Sequence, residues 1–506
     1  MPAEATRHGA AAAPQPFRNA ISNKQLMIRI LPTSPIFISL PYITHSANKD
    51  FMNTPTIFAT ATAPGKSGVA VIRISGAGAK DALTALGVSP LPAPRIATLA
   101  ALKDNENIID KALVLYFETP HSFTGEDVVE IHCHGSRAVI NQLLSVLSRL
   151  PDYRMAEAGE FTRRAFLNGK MDLTAAEGLA DLIDAETEAQ RKQAIRIMKG
   201  DAALFYEKLR AGILHSLAYL EAYIDFPDED IPPHVLAEIE REIDSVSKLI
   251  SAQLGDNSAS ERIRDGIYVS ILGAPNVGKS SLMNLLAKRD IAIVSNIAGT
   301  TRDVIEVNLD IDGYSVILSD TAGIREHADI IEEEGIRRSF ERAHSADIKI
   351  IVLDAENVAS GQWSVLESIM KDGGLQITEH NSQATIILLN KSDLTLPSPL
   401  PKISGITPIP ISVKNKTGLE DLFAELKKRI TATTPSESSF ITRARHRELL
   451  TFALAHLQNY TKSKDAGLEL RCEELRRAAT EVGKITGKIA VDEILGHIFS
   501  SFCIGK

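Results

Sequence analysis

The stretch Gly273-Ala-Pro-Asn-Val-Gly-Lys-Ser-Ser281 constrains the fold more than any other part of the chain. It follows an apolar run, "GIYVSIL", and opens an amphipathic one, "SLMNLLAKR". A glycine-rich loop between a strand and a helix, ending in Gly-Lys-Ser, fits the phosphate-binding pattern G-x-x-x-x-G-K-S/T. Its backbone N–H groups and the helix N-terminus cradle phosphates. The pattern gives Lys279 to the outer phosphates and the Ser280 hydroxyl to Mg²⁺, with Asn276, Val277, Gly278 and Ser281 completing the loop. From Gly266 to about Ile430 strands alternate with helices in the manner of βαβ units, which implies a doubly wound, mainly parallel sheet.

Further motifs narrow the nucleotide to GTP. "DTAG" (Asp320, Thr321, Ala322, Gly323) follows the strand-like "YSVILS". There Asp320 can hold Mg²⁺ through water, and the Gly323 N–H can reach a γ-phosphate. "NKSD" (Asn390, Lys391, Asp393) follows "ATIILL". The Asp393 carboxylate can accept from guanine N1–H and the exocyclic amine, a pair of donors adenine lacks. "ISVK" brings Ser412, Val413 and Lys414 to the base edge. "SNIAGTT" (Ser295, Asn296, Ile297, Ala298, Gly299, Thr300, Thr301) lies where a switch segment belongs, and Thr301 is assigned to Mg²⁺. Ile324 follows DTAG where Ras-like enzymes carry a water-orienting Gln, and no Arg stands out as an intrinsic finger. The missing positive charge must come from elsewhere. Two readings of Asn276 stand: a ligand for a monovalent cation, or a hydrogen bond that stabilises the loop.

At 506 residues the chain is long for one core and divides into about three domains. Residues 52–168 alternate short strands with turns and one helix, an α+β pattern; 169–265 read as long amphipathic helices; 266–432 form the GTPase segment; and 433–506 return to helices. Helices on both sides of the α/β segment imply that it is inserted into one helical domain. Residues 1–51 are Ala-rich and hold Glu4 as the only acid before Asp50, which fits a transit peptide or a start placed upstream of a true one at Met52. That extension is expected to be poorly ordered. The protein is expected in the cytoplasm, or in mitochondria if the extension is a transit peptide. Cys133, Cys472 and Cys503 are too few for a disulfide framework, and runs such as "ATIILLN" are too short to cross a bilayer. With a net charge of -9, contact with nucleic acid needs a local basic patch.

Beside the GTPase motifs stand "GKSGVAVIRISG", "SFTGEDVVEIHCHG", "GEFTRRAFLNGKMDLTAAEGLADLID", "AYIDFPDED" and the terminal "GHIFSSFCIGK". With these marks the chain, from about Asn53 to Lys506, resembles the MnmE (TrmE) family of tRNA-modification GTPases. The resemblance implies a homodimer made by a tetrahydrofolate-binding N-terminal domain, and a FAD-containing partner, MnmG (GidA), in a heterotetramer. It implies transfer of a carboxymethylaminomethyl or aminomethyl group to carbon 5 of the tRNA wobble uridine. The one-carbon donor would be 5-formyl- or 5,10-methylene-tetrahydrofolate. It implies K⁺ in place of an arginine finger, held by Asn276, the Ser295 and Ile297 carbonyls and Thr300. It points to Glu332 as general base, Cys503 as a candidate catalytic residue, and Arg73, Glu130, Lys170 and Lys506 as folate ligands. The alternative function is an Era- or Ras-like switch without group transfer.

The tail "CIGK" is a poor prenylation signal, because Gly505 stands where an aliphatic residue belongs and Lys506 is not an accepted last residue. No membrane anchor is expected. Cys503 is then a nucleophile or a small buried residue. His132 and His134 share a strand face, but two ligands are too few for a metal centre, so a structural or site-lining role is expected. "TRARHREL" (Arg443, Arg445, His446, Arg447) either touches tRNA phosphates or is a solvated helix end. Asp492 is the capping candidate for the last helix.

Overall fold

A computed structural model describes residues 28–31, 34–36, 54–226, 233–255, 258–289, 291–293, 306–320, 346–361, 384–433, 439–463, 467–489 and 492–505. The chain divides into two units, Met1–Thr54 and Pro55–Lys506. In the first, β1 (Ile28–Leu31) and β2 (Ser34–Ile36) pair antiparallel. The extension thus holds one hairpin where none was expected; isoleucine-rich segments favour extended backbone.

The second unit opens with β3 (Thr56–Thr60), β4 (Ser67–Ser75), α1 (Ala79–Ala85), β5 (Thr98–Asp104), β6 (Asn107–Phe117), β7 (Val128–Gly135), α2 (Arg137–Ser148) and β8 (Tyr153–Met155). The strands form one sheet in the order β5-β6-β7-β4-β3-β8, antiparallel except for β3 beside β8. Alternation decides its faces: Ile72, Ile74 and Ile131 turn into a core with Leu83, Leu143 and Leu147 from the helices. Arg73 and Glu130, register partners on β4 and β7, stand on the opposite face. Ser136 caps α2 by accepting from Val139 N.

Helices follow: α3 (Glu160–Leu167), α4 (Leu173–Asp184), α5 (Glu188–Met198), α6 (Asp201–Asp225), α7 (Pro233–Leu254) and α8 (Ala259–Asp265). On α6 the apolar positions Leu209, Ile213, Leu217 and Leu220 recur at three- and four-residue steps and are buried. Each such side chain contributes about 1.5–3 kcal/mol by leaving water. They meet Leu450, Leu457, Leu475 and Val482 of α12 (Ala444–Lys462) and α13 (Leu468–Thr486), which lie beyond the GTPase segment in sequence. One core therefore joins helices from both sides of the inserted domain. The last helix, α14 (Asp492–Ser500), includes Asp492 as its first residue, not as a cap ahead of it, and packs Leu495 and Phe499, with Phe502 beyond it, on Leu173 and Ala176 of α4.

Between these halves run β9 (Ile267–Gly273), α9 (Lys279–Ala287), β10 (Glu306–Ile311), β11 (Tyr314–Asp320), β12 (Ile348–Asp354), α10 (Ala355–Ala359), β13 (Thr385–Asn390), β14 (Ile409–Pro410) and α11 (Leu419–Thr433). The sheet order is β10-β11-β9-β12-β13-β14, parallel except for the β10–β11 hairpin. Every residue of β13, "TIILLN", is buried, as expected of a parallel strand covered on both faces. The register pairs Asp320 with Ile271 and Val352 with Gly273, which sets the ends of β9, β11 and β12 side by side.

Candidate nucleotide site and C-terminal arm

The phosphate loop leaves the carboxyl end of β9, the edge where ligands bind in open parallel sheets. Gly273 has φ 157° and no room for a side chain, because a Cβ there would lie 2.4 Å from the Val352 carbonyl oxygen. Gly278 caps α9 at φ 101°, and its Cβ would meet Asn390 Nδ2 at 2.3 Å. Gly273 must pass close to backbone and Gly278 close to the tethered Asn390 side chain, both with positive φ, and only glycine allows it. Lys279 is buried and its Nζ donates to the carbonyls of Gly273 and Ala274, both at 2.8 Å. The ammonium is thus held inside the loop it serves. Asn276 has a left-handed backbone (φ 65°) and an exposed side chain. Both readings of Asn276, a cation ligand or a loop-stabilising hydrogen bond, are compatible with an exposed side chain.

The base loop is tied to the phosphate loop. Asn390 Nδ2 donates to the Val277 carbonyl at 2.7 Å, and Asn390 Oδ1 accepts from Val413 N at 3.2 Å. Ser412 Oγ donates to Asp393 Oδ1 at 2.6 Å and itself accepts from Asn415 N at 3.1 Å. The hydroxyl donor beside Asp393 holds its carboxyl below the usual range. An ionised carboxylate at this position is an acceptor only, the property guanine's paired donors require. Lys391 Nζ donates to Asp354 Oδ2 at 2.6 Å, a partner the motif does not predict. Ser281 is exposed at the first turn of α9, and Lys414 lies beside the Ser412 tether. Ser295, Asn296, Ile297, Ala298, Gly299, Thr300, Thr301, Thr321, Ala322, Gly323, Glu332 and Lys506 lie outside the described residues.

A second cluster forms where the C-terminal arm reaches the antiparallel sheet. Arg73 Nε and Nη2 donate to Glu130 Oε1 at 3.0 and 2.9 Å. Its Nη1 donates to the Gly505 carbonyl at 3.3 Å, a residue 432 positions away. The guanidinium also lies 5.4 Å from the ring centre of Phe123 and 5.7 Å from that of Phe161. Ile504 bridges Ala158, and Gly159 N donates to the Cys503 carbonyl at 3.5 Å. Gly505 adopts φ 99°, and a Cβ there would meet the Thr60 carbonyl oxygen at 2.3 Å. Cys503 is exposed, which removes the small-buried-residue reading. Lys170 is also exposed and donates to the Pro120 carbonyl at 2.8 Å. Phe123 and Phe161 were not singled out in the sequence, since nothing local marks an aromatic as a neighbour of Arg73.

His134 pairs with Asp110 at 2.8 Å, and His132 Nε2 lies 3.5 Å from Glu130 Oε2. No group of three metal-ligating side chains occurs among the described residues. The "TRARHREL" expectation is corrected: this segment is neither a solvated end nor free for phosphates. His446 is buried, Arg443 and Arg445 serve Glu177 and Asp181, and Arg447 serves Glu261. The buried carboxylate of Glu177 and the partly buried ones of Asp181 and Glu261, all on other helices, take up the charges. No described helix is long and apolar enough to cross a membrane.

A phosphate cradle and an acceptor-lined base loop, tied together at the carboxyl edge of a parallel sheet, define a P-loop GTPase domain. The family model for the MnmE helical domain matches residues 173–503, and that for the GTP-binding protein TrmE N-terminus matches residues 56–170. The tRNA modification GTPase MnmE of Paramagnetospirillum magneticum is 46% identical over 453 residues, covering 89% of this chain and 99% of its own. The same protein of Rickettsia akari is 47% identical over 456 residues, covering 89% and 100%. That of Parvibaculum lavamentivorans is likewise 47% identical over 456 residues. The G domain of the T. maritima FeoB iron transporter aligns with 33% of this chain and 99% of its own, at 26% identity and a TM-score of 0.24. The chain belongs to the MnmE family of tRNA modification GTPases.

Proposed function

We propose that this chain hydrolyses GTP and uses the cycle to modify carbon 5 of the tRNA wobble uridine, installing a carboxymethylaminomethyl or aminomethyl group. It acts in the cytoplasm as a homodimer with a FAD-containing MnmG partner, and a tetrahydrofolate derivative supplies the carbon. The observation that carries the reading is the Arg73–Gly505 hydrogen bond, which joins the terminal arm to the Arg73–Glu130 pair.

In the GTPase domain Lys279 balances the outer phosphates, and Asp393 reads the base. Ser280, with Asp320 at the end of β11, would hold Mg²⁺, whose role is to neutralise charge on the β- and γ-phosphates. Asn276, exposed and without a partner among the described residues, fits a ligand of K⁺, which supplies the positive charge that an arginine finger supplies elsewhere. Glu332 takes the proton of the attacking water. In the second site Glu130 and Arg73 offer an acceptor and a cation between two aromatic rings, a set that suits a pterin and its acidic tail. Lys170 and Lys506 add cations, and Cys503 is exposed at the same arm.

GTP turnover in KCl and in NaCl tests the GTPase half of this reading. A rate at least about tenfold higher in K⁺ is expected, as for a missing transition-state charge restored. Equal rates would remove Asn276 from the proposal, and full activity in Glu332→Ala would remove the base.

A further inference from the structure

We infer that Asp354 is a positioning residue for the guanine subsite, acting through Lys391. The inference rests on the GTP-binding reading above and adds a residue that lies outside every GTPase motif in the chain.

Asp354 closes β12 and stands in register with Asn390, the last residue of β13. Its two carboxylate oxygens have separate duties. Oδ1 accepts from Glu356 N at 3.1 Å and caps α10, while Oδ2 accepts from Lys391 Nζ at 2.6 Å. The Asp354 side chain is only 11% exposed, against 39% for Lys391. A carboxylate fixed at one oxygen by a helix cap cannot follow the lysine into solvent, so the lysine must come to it. The Lys391 side chain therefore crosses from the end of β13 to the end of β12.

Lys391 itself has φ 64°, a left-handed conformation that non-glycine residues adopt seldom and that clusters at binding sites. Two neighbours enforce it: Asn390 is tied to Val277 and Val413, and Ser392 N donates to the Ile411 carbonyl. The outcome is a lysine whose backbone and ammonium are both fixed, which restrains the apolar strip of its stem two positions before the base-reading Asp393. A strip immobilised before the nucleotide arrives costs less to order on binding than a free lysine. Asp354 supplies that immobilisation and touches neither base nor phosphate.

The test uses the full chain, with GDP and inorganic tripolyphosphate as probes in equilibrium titrations. Asp354→Asn keeps the size of the side chain and a capping oxygen but removes the charge. It is expected to weaken GDP by about five- to tenfold, the worth of one partly buried ion pair, and to leave tripolyphosphate, which has no base, within about twofold. Lys391→Met keeps the stem and removes the ammonium, and should weaken GDP by a similar factor. The double variant should be no weaker than either single one, because both remove the same tether. If Asp354→Asn fails to fold, Lys391→Met decides alone. Unchanged GDP affinity in the folded variants, equal losses for GDP and tripolyphosphate, or additive losses in the double variant would each overturn the inference. An unaltered protein that binds no GDP would instead overturn the GTPase reading beneath it.

Discussion

Glu177 on α4 accepts a hydrogen bond from His446 on α12 at 2.9 Å, across 269 positions of sequence, and both side chains are 1% exposed. Arg445 Nη2 donates to the other oxygen, also at 2.9 Å, and Arg443 lies 3.4 Å away. His446 Nδ1 is buried without a partner. A neutral ring with its proton on Nε2 leaves only a lone pair unsatisfied there, whereas a charged ring would bury an unpaired N–H. The cluster fastens the helices before the GTPase domain to those after it. Glu177→Ala should therefore cost about 3–5 kcal/mol, because it leaves the buried His446 N–H and the partly buried Arg443 and Arg445 guanidiniums without their shared acceptor. Urea unfolding followed by helical circular dichroism checks this; a loss below about 1 kcal/mol would contradict it.

The same cluster sets an acid limb. Burial pushes Glu177 up, but His446, Arg445 and Arg443 outweigh it and bring the carboxyl down to about 2 from the ordinary 4.5. Burial pushes His446 below 6.5. Both folded-state values are depressed, so each group stabilises above its unfolded value and loses that contribution as pH falls. The melting temperature should hold near neutrality, begin to fall below about 6.5 as unfolded histidine takes protons, and fall further between about 4.5 and 2. A melting temperature unchanged from neutral pH down to about 4.5 would remove the histidine part of the account.

Asp393 should govern base choice. Asparagine at 393 would present an amide donor to guanine's own N–H groups and an acceptable match to xanthine's carbonyl. Asp393→Asn should lower GTP turnover at low substrate by about a hundredfold and raise that of XTP. Ser412→Ala, which removes the 2.6 Å tether, should weaken GTP by only about three- to tenfold. Competition between the two nucleotides distinguishes these effects.

The arm can be dislodged at one atom. Gly505→Ala sets a methyl against the Thr60 carbonyl oxygen at 2.3 Å, in a left-handed backbone that alanine disfavours. Loss of the Arg73–Gly505 bond should lower tRNA modification by about a hundredfold, the cost of misplacing a reacting group by about 1 Å. GTP turnover, whose site lies on another domain, should change far less. Parallel loss of both activities would contradict a separate role for the arm.

These residues also mark what the sequence could convey. Gly273, Gly278 and Lys279 sit at the strand end, helix cap and helix start that their spacing predicts, because a loop fixed by local backbone chemistry is written in neighbouring residues. The shared helical core was legible for a similar reason, through apolar steps of three and four on α6 and α13. Partners chosen by the tertiary fold were not. "RARHR" reads as a phosphate contact or a solvated basic end until Glu177, Asp181 and Glu261 arrive from other helices. Asp354 gave no signal beyond closing an apolar strand, and Gly505 looked like a defect in a lipidation motif until Thr60 lay against it.

The central claim is that GTP hydrolysis at Lys279 drives modification of tRNA. The direct measurement is mass spectrometry of wobble nucleosides from a bacterial strain whose own MnmE-family protein is replaced by this chain or by its Lys279→Ala variant. The account predicts 5-carboxymethylaminomethyl- or 5-aminomethyl-uridine with the unaltered chain and background levels with the variant. Unmodified uridine with the unaltered chain, or equal modification with both, would contradict it.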